Sequence, residues 1–161
     1  TTYDDIRHTI NSAKFLNVDI LGMKGKSRVI TVPADIQKLW NDVRVILRNP
    51  VIARYELKED IQLGKKAGIT ALCEYSLLSD NEYPTYAITK KEITESGIRK
   101  MKQVHSGEEI GCVVLELGYF IDFKNKKLED PLSVTLSLTE SEKQDERIGI
   151  SIKRMLEEYV W

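Results

Sequence analysis

The sequence predicts an α+β chain: a short helix and a basic β-hairpin, a linking helix, then a body built on a small, mostly antiparallel sheet with helices. Three observations predict it. Apolar residues recur at helical spacing in 3–16, 35–48 and 145–159. Between 51 and 117 they form short alternating or continuous runs of strand length, punctuated by Gly, Pro and Asn. Charge is uneven: residues 1–48 carry eight Lys/Arg against five Asp/Glu, and the remainder 16 against 20, in a chain of net charge −1. A basic front and an acidic rear suit a nucleic-acid-facing module joined to a separate body.

At the front, Thr2 is a good N-cap and Asp5 stands at the spacing of a capping box. Ile6, Ile10 and Ala13 form a narrow apolar stripe, which leaves Arg7, His8, Asn11 and Lys14 on the wet face. Asn17 ends that pattern. Val18, Ile20 and Leu21 begin an extended segment, 22–26 is a turn carrying two lysines, and 27–32 is the returning strand. A polar-faced helix followed by a ribbon with a basic tip has the geometry of a recognition helix and its wing. In that arrangement Thr2, Tyr3, Arg7, His8, Asn11 and Lys14 face base edges or nearby phosphates. Lys24, Lys26 and Arg28 grip phosphates from the wing.

Residues 1–11, with Phe15-Leu16 and Lys24-Gly25-Lys26-Ser27-Arg28, resemble the second half of the winged helix-turn-helix of bacterial MarR-like transcription regulators. Asn17 stands where that family places a glycine before the wing, and the helices that precede the recognition helix are missing. The resemblance implies a winged-helix remnant in 1–32, a linking helix in 33–50 and an α/β body in 51–161, cut from a longer protein. Within the body, 66–72, 83–87, 130–133 and 145–147 resemble the region that follows such a winged helix in uncharacterised bacterial regulators. More loosely they resemble the C-terminal domains of abortive-infection antitoxins. Both resemblances imply regulation rather than catalysis.

The linking helix, 35–48, shows a broad apolar face through Ile36, Leu39, Trp40, Val43, Ile46 and Leu47; Pro33 sits where a helix starts and Asn49-Pro50 stops it. Residues 51–57 alternate as a strand with Val51, Ala53, Tyr55 and Leu57 on one face and Arg54, Glu56 and Lys58 on the other. Gly64 and Gly68 lead into a helix over 69–78 that turns Leu72, Cys73 and Leu77 inward. A loop over 79–82 precedes a strand at 84–89, and 92–96 adds a helical turn that Gly97 ends. Residues 101–104 and 110–117 are expected to pair as a hairpin about Ser106-Gly107. The second of these strands is nearly continuous apolar, so it is central and covered on both faces. Residues 123–128 form a polar loop. Leu132, Val134, Leu136 and Leu138 alternate with Ser133, Thr135 and Ser137, the period of a half-buried strand. The closing helix, 145–159, turns Ile148, Ile152, Met155, Leu156 and Tyr159 inward.

A composition of 42% apolar and 30% charged residues suits a globular domain with a real core. No run of 18 apolar residues provides a membrane span, and no secretory leader is expected. Cys73 and Cys112 lie inside apolar patterns without ligand spacing, which predicts buried thiols in a reducing cytosol.

Two enzymatic constellations compete with simpler explanations. Glu56-Leu57-Lys58 on a strand, with Asp35 upstream, has the order of a metal-dependent nuclease, in which two acids hold Mg²⁺ and the lysine steadies a hydroxide. However, Asp35 falls at a helix start, and a solvated strand face explains the pair equally well. His105, Glu108, Glu109 and Cys112 cluster but straddle a turn and a buried strand, which favours a hydrated tip over a metal site. There is no GxSxG, P-loop, GxGxxG or HExxH, and nothing calls for a cofactor. The function expected is therefore that of a cytoplasmic, non-enzymatic regulator that binds double-stranded DNA, with the body serving homodimerisation or effector and protein-partner binding. A non-catalytic antitoxin-like partner-binding protein is the first alternative and the nuclease the second.

Overall fold

The structure is a computed structural model that describes residues 21–30, 34–79, 81–119 and 127–161, with side chains in the first segment described at 24–26. The expected helix over 3–16 lies outside the described residues. The chain forms two compact units, 1–48 together with Trp161, and 49–160.

In the first unit, β1 (Leu21–Lys24) and β2 (Ser27–Ile30) pair antiparallel, with Leu21 opposite Ile30 and Lys24 opposite Ser27. The hairpin expected from the sequence is present, and its turn is tighter than 22–26: Gly25 and Lys26 alone make it. Gly25 supplies the positive φ, 65°, that a two-residue turn needs. Helix α1 (Ile36–Val43) is capped by the Asp35 side chain, which accepts from the Lys38 N–H at 2.8 Å. It ends five residues before the expected Arg48, and Trp40 is its one buried residue; Ile36 and Leu47 are exposed. The β-branched Val43, Val45 and Ile46 lose side-chain freedom in a helix, and little burial compensates them.

The second unit is an α+β body. A four-stranded mixed sheet has the order β3 (Val51–Leu57), β6 (Cys112–Leu117), β5 (Thr85–Thr89), β4 (Lys65–Lys66). The β3/β6 and β5/β4 pairs are antiparallel, while β5 and β6 run parallel, Thr85 opposite Val113 and Thr89 opposite Leu117. That parallel pair corrects the expected 101–104/110–117 hairpin. A parallel partner needs a crossover, supplied by α3 (Lys90–Ser96), a 3-10 turn (Ile98–Lys100) and the segment 101–111, which turns at 106–107. Gln103 instead bridges Leu57, and the Val104 N–H donates to the Glu56 carbonyl at 2.9 Å, covering part of the outer edge of β3.

The apolar run of β6 is central, and all six of its residues are buried, as its composition implies. Cys112 and Val114 pack with Leu57, Tyr86, Ile88, Ile93 and Ile98. Val113, Leu115 and Leu117 pack with Ala67 and Ala87. Helix α2 (Gly68–Tyr75) packs on β5 and on two later helices, α4 (Pro131–Ser137) and α6 (Glu146–Tyr159). Leu72, Val134 and Met155 are fully buried. Leu77 lies beyond the end of α2 and is 81% exposed, against the expectation that it points inward.

The half-buried strand expected over 132–138 is helix α4. Asp130 caps it through the Ser133 N–H at 2.9 Å and Pro131 opens its first turn. The hydroxyl residues expected to face water are buried. The Thr135 hydroxyl donates to the Pro131 carbonyl at 2.9 Å and the Ser137 hydroxyl to the Val134 carbonyl at 3.0 Å, while Leu132 and Leu136 are only half-buried. Seven residues fit period 2 and period 3.6 alike, and the cap decides between them. A short helix not anticipated, α5 (Glu140–Gln144), follows, closed by a Thr139–Glu142 capping box. The closing helix α6 begins at its Asp145 cap as expected; Tyr159 is 43% exposed and meets Tyr75 edge-on, ring centroids 5.0 Å apart. Among the described residues no helix is long and apolar enough to cross a membrane.

Candidate functional site

Of the nine residues the sequence nominates for DNA, six (Thr2, Tyr3, Arg7, His8, Asn11 and Lys14) lie outside the described residues. Lys24 and Lys26 are exposed on either side of Gly25 at the tip of the β1–β2 ribbon, and neither forms an ion pair with a described residue. Arg28 lies in β2 opposite Met23. The two-residue turn places both ammonium groups at one end of a ribbon about 13 Å long (four residues at about 3.3 Å each). Such a tip can carry two point charges to neighbouring phosphates.

The nuclease pair has a different setting. Glu56 is half-buried near the end of β3 and Lys58 is exposed just beyond the strand, and each is engaged: Arg54 Nε donates to Glu56 at 3.2 Å, and Lys58 is ion-paired with Glu108. Lys58 in turn holds the Glu108 carboxyl below its ordinary range, helped by the His105 N–H at 2.9 Å. Asp35 caps α1. Cys112, from the second constellation, faces the core, where burial raises its thiol pKa and its Sγ donates to the Glu59 carbonyl at 3.1 Å. Among the described residues no group of three His, Cys, Asp or Glu side chains is disposed to hold a metal ion.

The body also holds two polar arrangements that the sequence reading missed. Glu116 sits in central β6, 3% exposed. Its Oε2 accepts from the Tyr55 hydroxyl at 2.8 Å and from Arg99 Nη2 at 3.2 Å, and Arg99 Nε reaches the Tyr55 oxygen at 3.3 Å. The Tyr55 bond does most to hold the Glu116 carboxyl below its ordinary value; burial opposes it, and the charges of Arg99 and Lys90 assist. A glutamate inside an otherwise apolar run was the signal for this site, because an unpaired charge is rarely buried there.

The second arrangement is at Glu129, 2% exposed beside the cap of α4. Its Oε2 accepts from the Gly68 N–H at 3.4 Å and lies 3.4 Å from the Ser137 hydroxyl, whose single proton it shares with the nearer Val134 carbonyl, while Oε1 is buried without a hydrogen-bond partner. Its main-chain carbonyl accepts from the Tyr75 hydroxyl at 2.8 Å. Ala67, the N-cap residue of α2, has no side-chain acceptor, so Glu129 approaches that helix end from across the fold. Burial pushes its carboxyl up to about 8, Asp130 pushes the same way, and Gly68, Ser137 and Lys65 oppose the rise. Nothing in the local pattern 127–130 announces this burial.

No family model matches the chain, and no curated protein or solved structure matches it either.

Proposed function

We propose that the chain is a cytoplasmic DNA-binding transcription regulator of winged-helix type. The hairpin 21–30 is the wing, 3–16 the recognition helix, and the body serves dimerisation or the binding of an effector or partner. One observation carries this reading: a tight antiparallel ribbon whose exposed tip bears Lys24 and Lys26, neither ion-paired with a described residue. A wing built in this way contributes charge and positioning, and sequence information comes from the helix face.

The test is fluorescence anisotropy of the chain with labelled duplexes over a salt series. Each phosphate contact releases about 0.9 counterion, so Lys24→Ala with Lys26→Ala is expected to shallow the log–log salt slope by close to 2 and to weaken promoter and scrambled duplex alike. Asn11→Ala is expected to erode discrimination by on the order of 1–3 kcal/mol. An unchanged slope in the lysine variant removes the wing from the interface. Absence of duplex binding favours the partner-binding alternative.

A further inference from the structure

The acidic body carries a basic island. Residues 89–104 hold five Lys/Arg against two Glu, whereas the rest of 49–161 holds 11 against 18. All five cations, Lys90, Lys91, Arg99, Lys100 and Lys102, are exposed. Both glutamates of the segment are already engaged: Glu92 closes the capping box of α3 with Thr89, and Glu95 pairs with Lys91 at 3.7 Å. Lys90, Lys100 and Lys102 make no ion pair with a described residue.

Arg99 sets this island apart from scattered surface lysines. Tyr55 and Glu116 hold its Nε and Nη2 edge against the sheet, so the side chain is already ordered, while 54% of it remains exposed. Nη1 makes no hydrogen bond among the described residues. A guanidinium fixed on one edge presents its remaining donors without a further loss of rotamer freedom, which suits a phosphate oxygen. Glu116 carries a single negative charge, on which both Arg99 and Lys90 act. Lys100 and Lys102, exposed at neighbouring positions of the chain, add positive charge that this one carboxylate does not balance and an external polyanion would.

We propose that Arg99, Lys90, Lys100 and Lys102 form a second docking surface on the body for the phosphate backbone of duplex DNA, resting on the DNA-binding reading above. A bilayer surface fits less well. Met101, at 38%, is the one strongly exposed large apolar side chain in the segment, too little to insert among acyl chains.

The experiment compares three forms of the full chain on one labelled duplex across a salt series: unsubstituted, Lys24→Ala/Lys26→Ala, and Lys90→Ala/Lys100→Ala/Lys102→Ala. Circular dichroism first shows that the triple variant keeps its fold, which is expected because all three lysines are exposed. The triple variant is expected to shallow the slope by close to 3. An unchanged slope there, with a shallower one in the wing variant, overturns the second surface and leaves the wing intact. The reverse result upholds the body surface and removes the wing. No duplex binding in any form overturns both. Binding to phosphatidylserine–phosphatidylcholine vesicles that the triple variant loses, with no loss on duplex, assigns the island to membranes and overturns the proposal.

Discussion

Replacing Glu129 with Gln keeps the shape of a side chain that is 2% exposed and removes its ability to ionise. In the folded chain this carboxyl titrates at about 8 instead of 4.5, so between those values the fold binds a proton that the unfolded chain has already lost. Stability must therefore fall as pH rises through that window and level off above about 8. At about 1.4 kcal/mol per pH unit, the carboxyl costs the fold about 3 kcal/mol at pH 7 and about 4 kcal/mol at pH 8, relative to its neutral form. The Gln amide avoids this cost, offset by a pH-independent loss of about 1–3 kcal/mol if one of its N–H donors stays unpaired. The diagnostic quantity is the difference between the two proteins, which cancels every other titrating group that behaves alike in both. Urea denaturation followed by circular dichroism at pH 5, 6, 7 and 8 should show the advantage of Glu129→Gln growing by about 1 kcal/mol or more per unit. Parallel stability–pH profiles would instead mean that Glu129 is ionised in the fold at neutral pH, against its burial.

Two further substitutions probe the same body. Asp130→Ala removes the cap of α4 and is expected to cost about 1–2 kcal/mol, with a smaller loss at pH 8 than at pH 5, because it also removes a negative charge that disfavours Glu129 ionisation; denaturation at the two pH values checks it. Gly64→Ala places a Cβ 2.2 Å from Ile88 Cγ2 and 2.4 Å from the Ala87 carbonyl oxygen at a φ of +85°, so a loss of at least about 2 kcal/mol is expected in thermal melts. An unchanged melt would mean that 58–64 can leave β5 freely.

Features that depend on neighbours along the chain are readable from the residues alone. The tip of 21–30 was legible because a glycine flanked by lysines marks a turn, and 145–159 because fifteen residues display several helical periods. The run 112–117 announced its depth, since six nearly apolar residues have no wet face to offer. Tertiary structure decided the rest. At 131–137 the alternation was real but too short to exclude a helix, and the buried hydroxyls bond within their own turn, so burying them costs little. The parallel pairing of β5 with β6 joins residues about 28 positions apart, and no local spacing encodes which strand a buried run lies beside. The clamp on Arg99 brings together residues 55, 99 and 116, and the rise at Glu129 is imposed by the burial that the folded body creates around it, against the opposing bonds from residues 68 and 137. Ionisation answers to the surroundings in space, and those exist only after the chain has folded.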